Sequence, residues 1–122
     1  MYLTRCLAVA LLVAPIATAA AAGPFDGTYS GENTLVRGGP PVCSPTHKIT
    51  WTVADNHFKA RWFSTTTLDA AVAPDGSFNT SAMYNYGRQA SRAILTGKIS
   101  NGALEADIES TGCKYHYSLK KV

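Results

Sequence analysis

A chain of 122 residues with eight carboxylates, eleven basic side chains and a formal net charge of +3 has room for one domain, and too little charge to grip nucleic acid. Charged residues make up 16% of it and hydrophobic residues 46%, which excludes a disordered polar chain. A domain this small buries a modest core, so a covalent staple would help it.

The chain opens as a secretory leader. Arg5 supplies the positive start, residues 6–16 form an apolar run, and residues 18–22 are small. Cleavage is expected after Ala22, because cleavage one residue later would place Pro24 at the first mature position. The domain then spans residues 23–122, in a periplasmic or secreted protein. The apolar run is too short to anchor the chain, so no membrane span remains after cleavage. Cys6 leaves with the leader. Cys43 and Cys113 remain, and an oxidising compartment should join them. The loop they close has about 70 positions, for which chain entropy gives a stabilisation of about 4 kcal/mol.

After residue 24 the hydrophobic pattern alternates with period two, and no helical period appears. The first run, residues 28–36, places Tyr29, Gly31, Asn33 and Leu35 on one face. A loop with Pro40, Pro41 and Pro45 follows, and Cys43 would pin it. Residues 47–54 point Ile49, Trp51 and Val53 inward. Asp55-Asn56 suits a two-residue hairpin turn. That turn would set Val53 opposite Phe58, Trp51 opposite Ala60 and Ile49 opposite Trp62, with Thr52 facing Lys59 and Thr50 facing Arg61 on the wet side. Unbroken extension over 57–73 would give a strand of about 56 Å, so the chain must bend near Thr65.

Further along, Pro74-Asp75-Gly76 would set Val72 against Phe78 and Leu68 against Ala82. Gly87-Arg88 sets Tyr84 against Ser91 and Ala82 against Ala93. Asn101-Gly102 sets Ile99 against Leu104 and Leu95 against Ile108, with Lys98 facing Glu105 outside. Thr111-Gly112 sets Ile108 against Tyr115 and Leu104 against Leu119, with Glu109 facing Lys114. The result is eight consecutive antiparallel strands. An all-β, eight-stranded up-and-down β-barrel with one disulfide is expected, with a β-sandwich as the alternative. Gly31 and Gly97 fall on its inner face, where glycine permits tight curvature.

The segments F-D-G-T-Y-S-G, P-D-G-S-F and L-T-G-K-I-S-N-G-A-L resemble small exported bacterial proteins of uncharacterised function that carry a phenylalanine-aspartate-glycine-threonine-aromatic element soon after the leader. The resemblance runs along nearly all of the mature chain and implies a β-barrel. The meander is also similar in outline to avidin-like and bacterial protease-inhibitor barrels. Neither likeness carries over a functional residue.

No catalytic constellation emerges. His47, His57 and His116 lie apart, without the convergence a metal needs, and no cofactor or metal is expected. No G-x-S-x-G is present, and the disulfide would leave no free cysteine. Glu105, Asp107 and Glu109 form an outward stripe facing Lys98, Lys114 and His116, which reads as a solvated surface. Asn79-Thr80-Ser81 matches a glycosylation acceptor, but inside a strand. The aromatics are the remaining signal: Tyr29, Trp51, Phe58, Trp62, Phe78, Tyr84, Tyr115 and Tyr117 all fall on the inner face. They either fill the barrel or wall a small site. The expectation leans away from an enzyme and towards binding of a small apolar or aromatic ligand, with Trp51, Trp62 and Tyr84 as lining and Tyr86 and Arg88 at the rim. The alternative is an envelope protein-interaction module or protease inhibitor acting through residues 37–45. A cavity among the inner aromatics would favour the first; a full interior with an exposed apolar loop would favour the second.

Overall fold

The computed structural model describes residues 23–62 and 66–122, together with the isolated Ala10. The rest of the expected leader and the expected bend near Thr65 lie outside the described residues.

Period-two alternation resolves into eight strands: β1 (Gly27–Arg37), β2 (Lys48–Val53), β3 (His57–Trp62), β4 (Thr66–Ala71), β5 (Ser77–Tyr86), β6 (Gln89–Ser100), β7 (Ala103–Ser110) and β8 (Cys113–Lys121). The turns that join them have the chemistry their residues allow. Asp55, Asn56 and Asn101 take positive φ of 53°, 58° and 51°, a region that short polar side chains tolerate.

Six strands form one antiparallel sheet in the order β2-β1-β8-β7-β6-β5, and β3 and β4 form a separate ribbon. The six-stranded sheet curls into a half-barrel, and the ribbon stands across its open side with Phe58, Ala60, Trp62, Leu68 and Ala70 buried against the core. The last strand pairs with the first, Gly31 with Leu119 and Asn33 with Tyr117, as an up-and-down barrel requires. From β5 onward the expected registers hold: Tyr84 faces Ser91, Lys98 faces Glu105, and Ile108 faces Tyr115.

Two expected ladders are corrected. β2 and β3 share the expected register only at the turn, where Ala54 and His57 exchange both backbone bonds. The pairs Val53–Phe58, Trp51–Ala60, Ile49–Trp62, Thr52–Lys59 and Thr50–Arg61 do not form; β2 pairs with β1 instead, and β3 with β4. The interior aromatics account for the parting. Trp51 stacks on Phe58 and Tyr117, whereas Trp62 turns its edge to Tyr84 and Tyr115. The two strands therefore diverge as they leave the turn. At the other junction, the Pro74-Asp75-Gly76 loop closes through Ala73 N–H on Ser77 O, but Val72–Phe78 and Leu68–Ala82 do not pair. There β4 is committed to β3 and β5 to β6.

All eight inward aromatics are buried. Lys59 and Arg61 are exposed between Phe58, Ala60 and Trp62, so the phase of β3 is the expected one. The disulfide joins Cys43 to Cys113 with a Cα–Cα distance of 5.8 Å, within the range such bonds need. It ties the proline-bearing loop to the start of β8 and fits an oxidising compartment. Among the described residues no helix is long and apolar enough to cross a membrane.

Candidate functional site

The parting of β2 from β3 leaves an opening in the wall. It leads to a cavity of about 330 Å³ lined by Trp62, Tyr115, Tyr117, Asn33, Ile49, Arg61, Ser44 and His47. Inward alternation on β8 supplies the two tyrosines, and the end of β3 supplies Trp62. The loop of residues 38–47 roofs the cavity, held at three successive points. Cys43 is bonded to Cys113, and Ser44 O accepts from the Tyr115 hydroxyl at 3.0 Å. His47 N–H donates to Asn33 Oδ1 at 2.9 Å. The return bond, from Asn33 N–H to His47 O, is 3.3 Å long.

Asn33 is the one site residue whose type conflicts with its place. It is 1% exposed on an otherwise apolar face, and its amide works as a structural post for the loop. Burial pushes the Tyr117 phenol up to about 12, opposed by its hydrogen bond with Asn33. Burial also raises Tyr115, opposed by its bond to Ser44. Both phenols therefore stay protonated near neutrality and serve as hydrogen-bonding groups. His47 Nδ1 lies 3.0 Å from Pro45 O and donates there, because a carbonyl oxygen only accepts. Among the described residues no carboxylate lies within ion-pair distance of Arg61.

The residues expected to line a ligand site do not converge. Trp62 lines this cavity. Trp51 lies deeper, packed between Phe58 at 5.3 Å and Tyr117 at 4.8 Å between ring centroids. Tyr84 and Tyr86 border a separate cavity of about 200 Å³ beside Val42 and Cys113. Arg88 is exposed in the β5–β6 turn and borders neither. Sequence reasoning missed Asn33, Ser44 and His47 as site residues. A polar side chain on the inner stripe of β1 was the available signal for the first; the other two lie in a loop whose path no periodicity reveals.

Chemistry elsewhere is sparse. A wider groove of about 530 Å³ lies beside the β2–β3 turn, lined by Thr52, Ala54, His57, Phe58, Lys59, Asp69 and Ala70. On the outer face of β7 and β8, His116 Nδ1 meets Asp107 at 3.0 Å and Nε2 meets Glu105 at 2.7 Å. Ser118 Oγ donates to Glu105, not to the imidazole, so the histidine is not placed to take the serine proton. Among the described residues no group of three or more metal-ligating side chains converges. Comparison with protein-family models, curated proteins and solved structures finds no match to the chain.

Proposed function

We propose that this chain is a non-enzymatic binding protein, periplasmic or secreted, that takes one small aromatic molecule into the cavity beneath the 38–47 loop. The observation that carries the reading is the combination in one cavity of three aromatic walls with the Arg61 guanidinium, which among the described residues has no carboxylate within ion-pair distance. At about 330 Å³ the space lies at the lower end of the range for small-molecule pockets, roughly 300–1,000 Å³. It suits a single or fused ring. The tethered roof favours a preformed site, which keeps the ordering cost of binding low.

Titration with indole and with benzoate, read by tryptophan fluorescence, tests the proposal. Saturable quenching is expected, weakened about tenfold or more by Trp62→Ala, which removes a wall. No saturable change with either probe up to millimolar concentration would overturn it.

Exposed Val42 and Tyr86 near the disulfide favour the second reading, in which the loop binds a protein. In that case Val42→Asp would abolish partner capture and leave probe binding by the cavity unchanged.

A further inference from the structure

At the end of the barrel away from the disulfide, one carboxylate gathers three backbone N–H groups. Asp26 Oδ2 accepts from Gly23 N at 2.9 Å and from Asp55 N at 2.8 Å; Oδ1 accepts from Asn56 N at 3.0 Å. Asp26 thus fixes both residues of the β2–β3 turn and also holds the chain at Gly23. Asn56 O in turn accepts from Val72 N–H at 2.7 Å, which brings the end of β4 to the same point.

Gly23 sits in a socket. A Cβ there would collide with Asn56 Oδ1 and come within 2.8 Å of Asp26 Oδ1, so a larger residue would push both side chains from their places. Asn56 Oδ1 is buried against Gly23 and has no hydrogen-bond donor among the described residues. Such an orphan acceptor is costly unless something supplies a proton. The Gly23 amide cannot: it has one hydrogen, already given to Asp26. An ammonium at the same nitrogen has three.

We propose that the Ala22–Gly23 bond is the processing point of this chain, and that the α-ammonium released there is the ligand of the Asp26–Asn56 socket. Water, with an endoprotease of the leader-removing class as catalyst, adds across that bond. The carboxylate leaves on Ala22, and the amine of Gly23 takes up a proton to become the ammonium. One N–H then keeps Asp26 Oδ2, now as a charge-assisted bond, and a second serves Asn56 Oδ1. The small residues at 18–22 and the proline at 24 place cleavage at this bond on sequence grounds, and the socket arrives at the same nitrogen from the folded side. The hydrogen bonds from Asn56 and Asp55 hold the Asp26 carboxyl below its ordinary value, with some help from Lys121, so it is ionised wherever the ammonium is present. Among the described residues the other titratable groups at this end are Tyr29, whose hydroxyl donates to Phe25 O, Lys121, whose side chain lies over Gly27, and Asp55 and His57 at the turn. The inference is independent of what the cavity binds.

The test starts from the exported protein made with its own leader. Intact mass should place the first residue at Gly23; any other start overturns the proposal. This protein is then compared with a chain made to begin at Ala22, which moves the ammonium one residue away. The longer chain should unfold with an equilibrium constant up to about fivefold larger. The Gly23 α-amine should titrate above the ordinary range of about 7.7–8.0, read by NMR. Asp26→Asn should speed acylation of that amine at neutral pH. Should this variant fail to fold, the amine titration of the unaltered protein decides alone. Equal stability of the two chains, or an amine titrating at or below the ordinary range, would overturn the socket.

Discussion

Gly97 faces the barrel interior on β6, and the ring of Phe78 occupies the space where its side chain would stand. A Cβ there would lie 2.6 Å from Phe78 Cζ and would collide with the Glu105 carbonyl of the next strand. Gly97→Ala should therefore cost about 1–3 kcal/mol as overpacking, measured by urea unfolding, because the backbone contact cannot rotate away. A second residue-scale effect belongs to His116. The hydrogen bond to Asp107 raises its pKa above 6.5; burial opposes this, and Glu105 adds to it. The folded state therefore favours the imidazolium. The stabilisation is fully present below pH 6.5 while the two carboxylates stay ionised, and it is lost as pH rises through the higher folded value. With the side chain 42% exposed, solvent screening limits it to at most about 1 kcal/mol. His116→Gln should flatten the stability profile between pH 6 and pH 8, roughly the range in which histidine titrates.

At the scale of elements, the disulfide and the last strand act together. Cys113 opens β8, and β8 lies between β7 and β1 in the sheet. Reduction should cost about 4 kcal/mol through the freed chain of the unfolded state, seen as a lower urea midpoint in the presence of a reductant. It should also loosen the roof of the cavity, since Cys43 immediately precedes the Ser44 carbonyl that anchors Tyr115. The hairpins from β5 to β8 were legible in the sequence because each turn carries its own signal, down to the pairing of Lys98 with Glu105. The partings at β2–β3 and β4–β5 were not. Alternation says which face Trp51 and Trp62 occupy; it does not say that their rings pack towards different neighbours and draw the strands apart. The role of Asp26 was hidden for a similar reason. Its partners at Asp55 and Asn56 lie 29 and 30 positions away, so F-D-G reads locally as a turn while its carboxylate works at long range.

Across the whole molecule the interior has two regimes. Towards the Asp26 end, Tyr29, Trp51, Phe58 and Phe78 fill the barrel, with Phe58 and Phe78 edge to face at 5.0 Å. Towards the disulfide end Trp62 meets Tyr84 and Tyr115 edge to face, these rings border open space, and the candidate site lies there. The face expected for the aromatics was thus right in full, whereas their division between packing and lining depended on the path of the loop. The parted wall has a further consequence, for behaviour in concentrated solution. β2 and β3 turn unsatisfied ladder edges towards each other, and such edges are templates for pairing between molecules. Lys48, Lys59 and Arg61 are exposed along these same two strands, so two copies approaching edge to edge bring like charges together. Replacing Lys48 and Lys59 by threonine keeps strand propensity and removes that repulsion. Such a protein should self-associate as its concentration rises, seen by light scattering, under conditions in which the unaltered chain stays monodisperse; an unchanged monomer would mean that the parted edges are shielded in some other way.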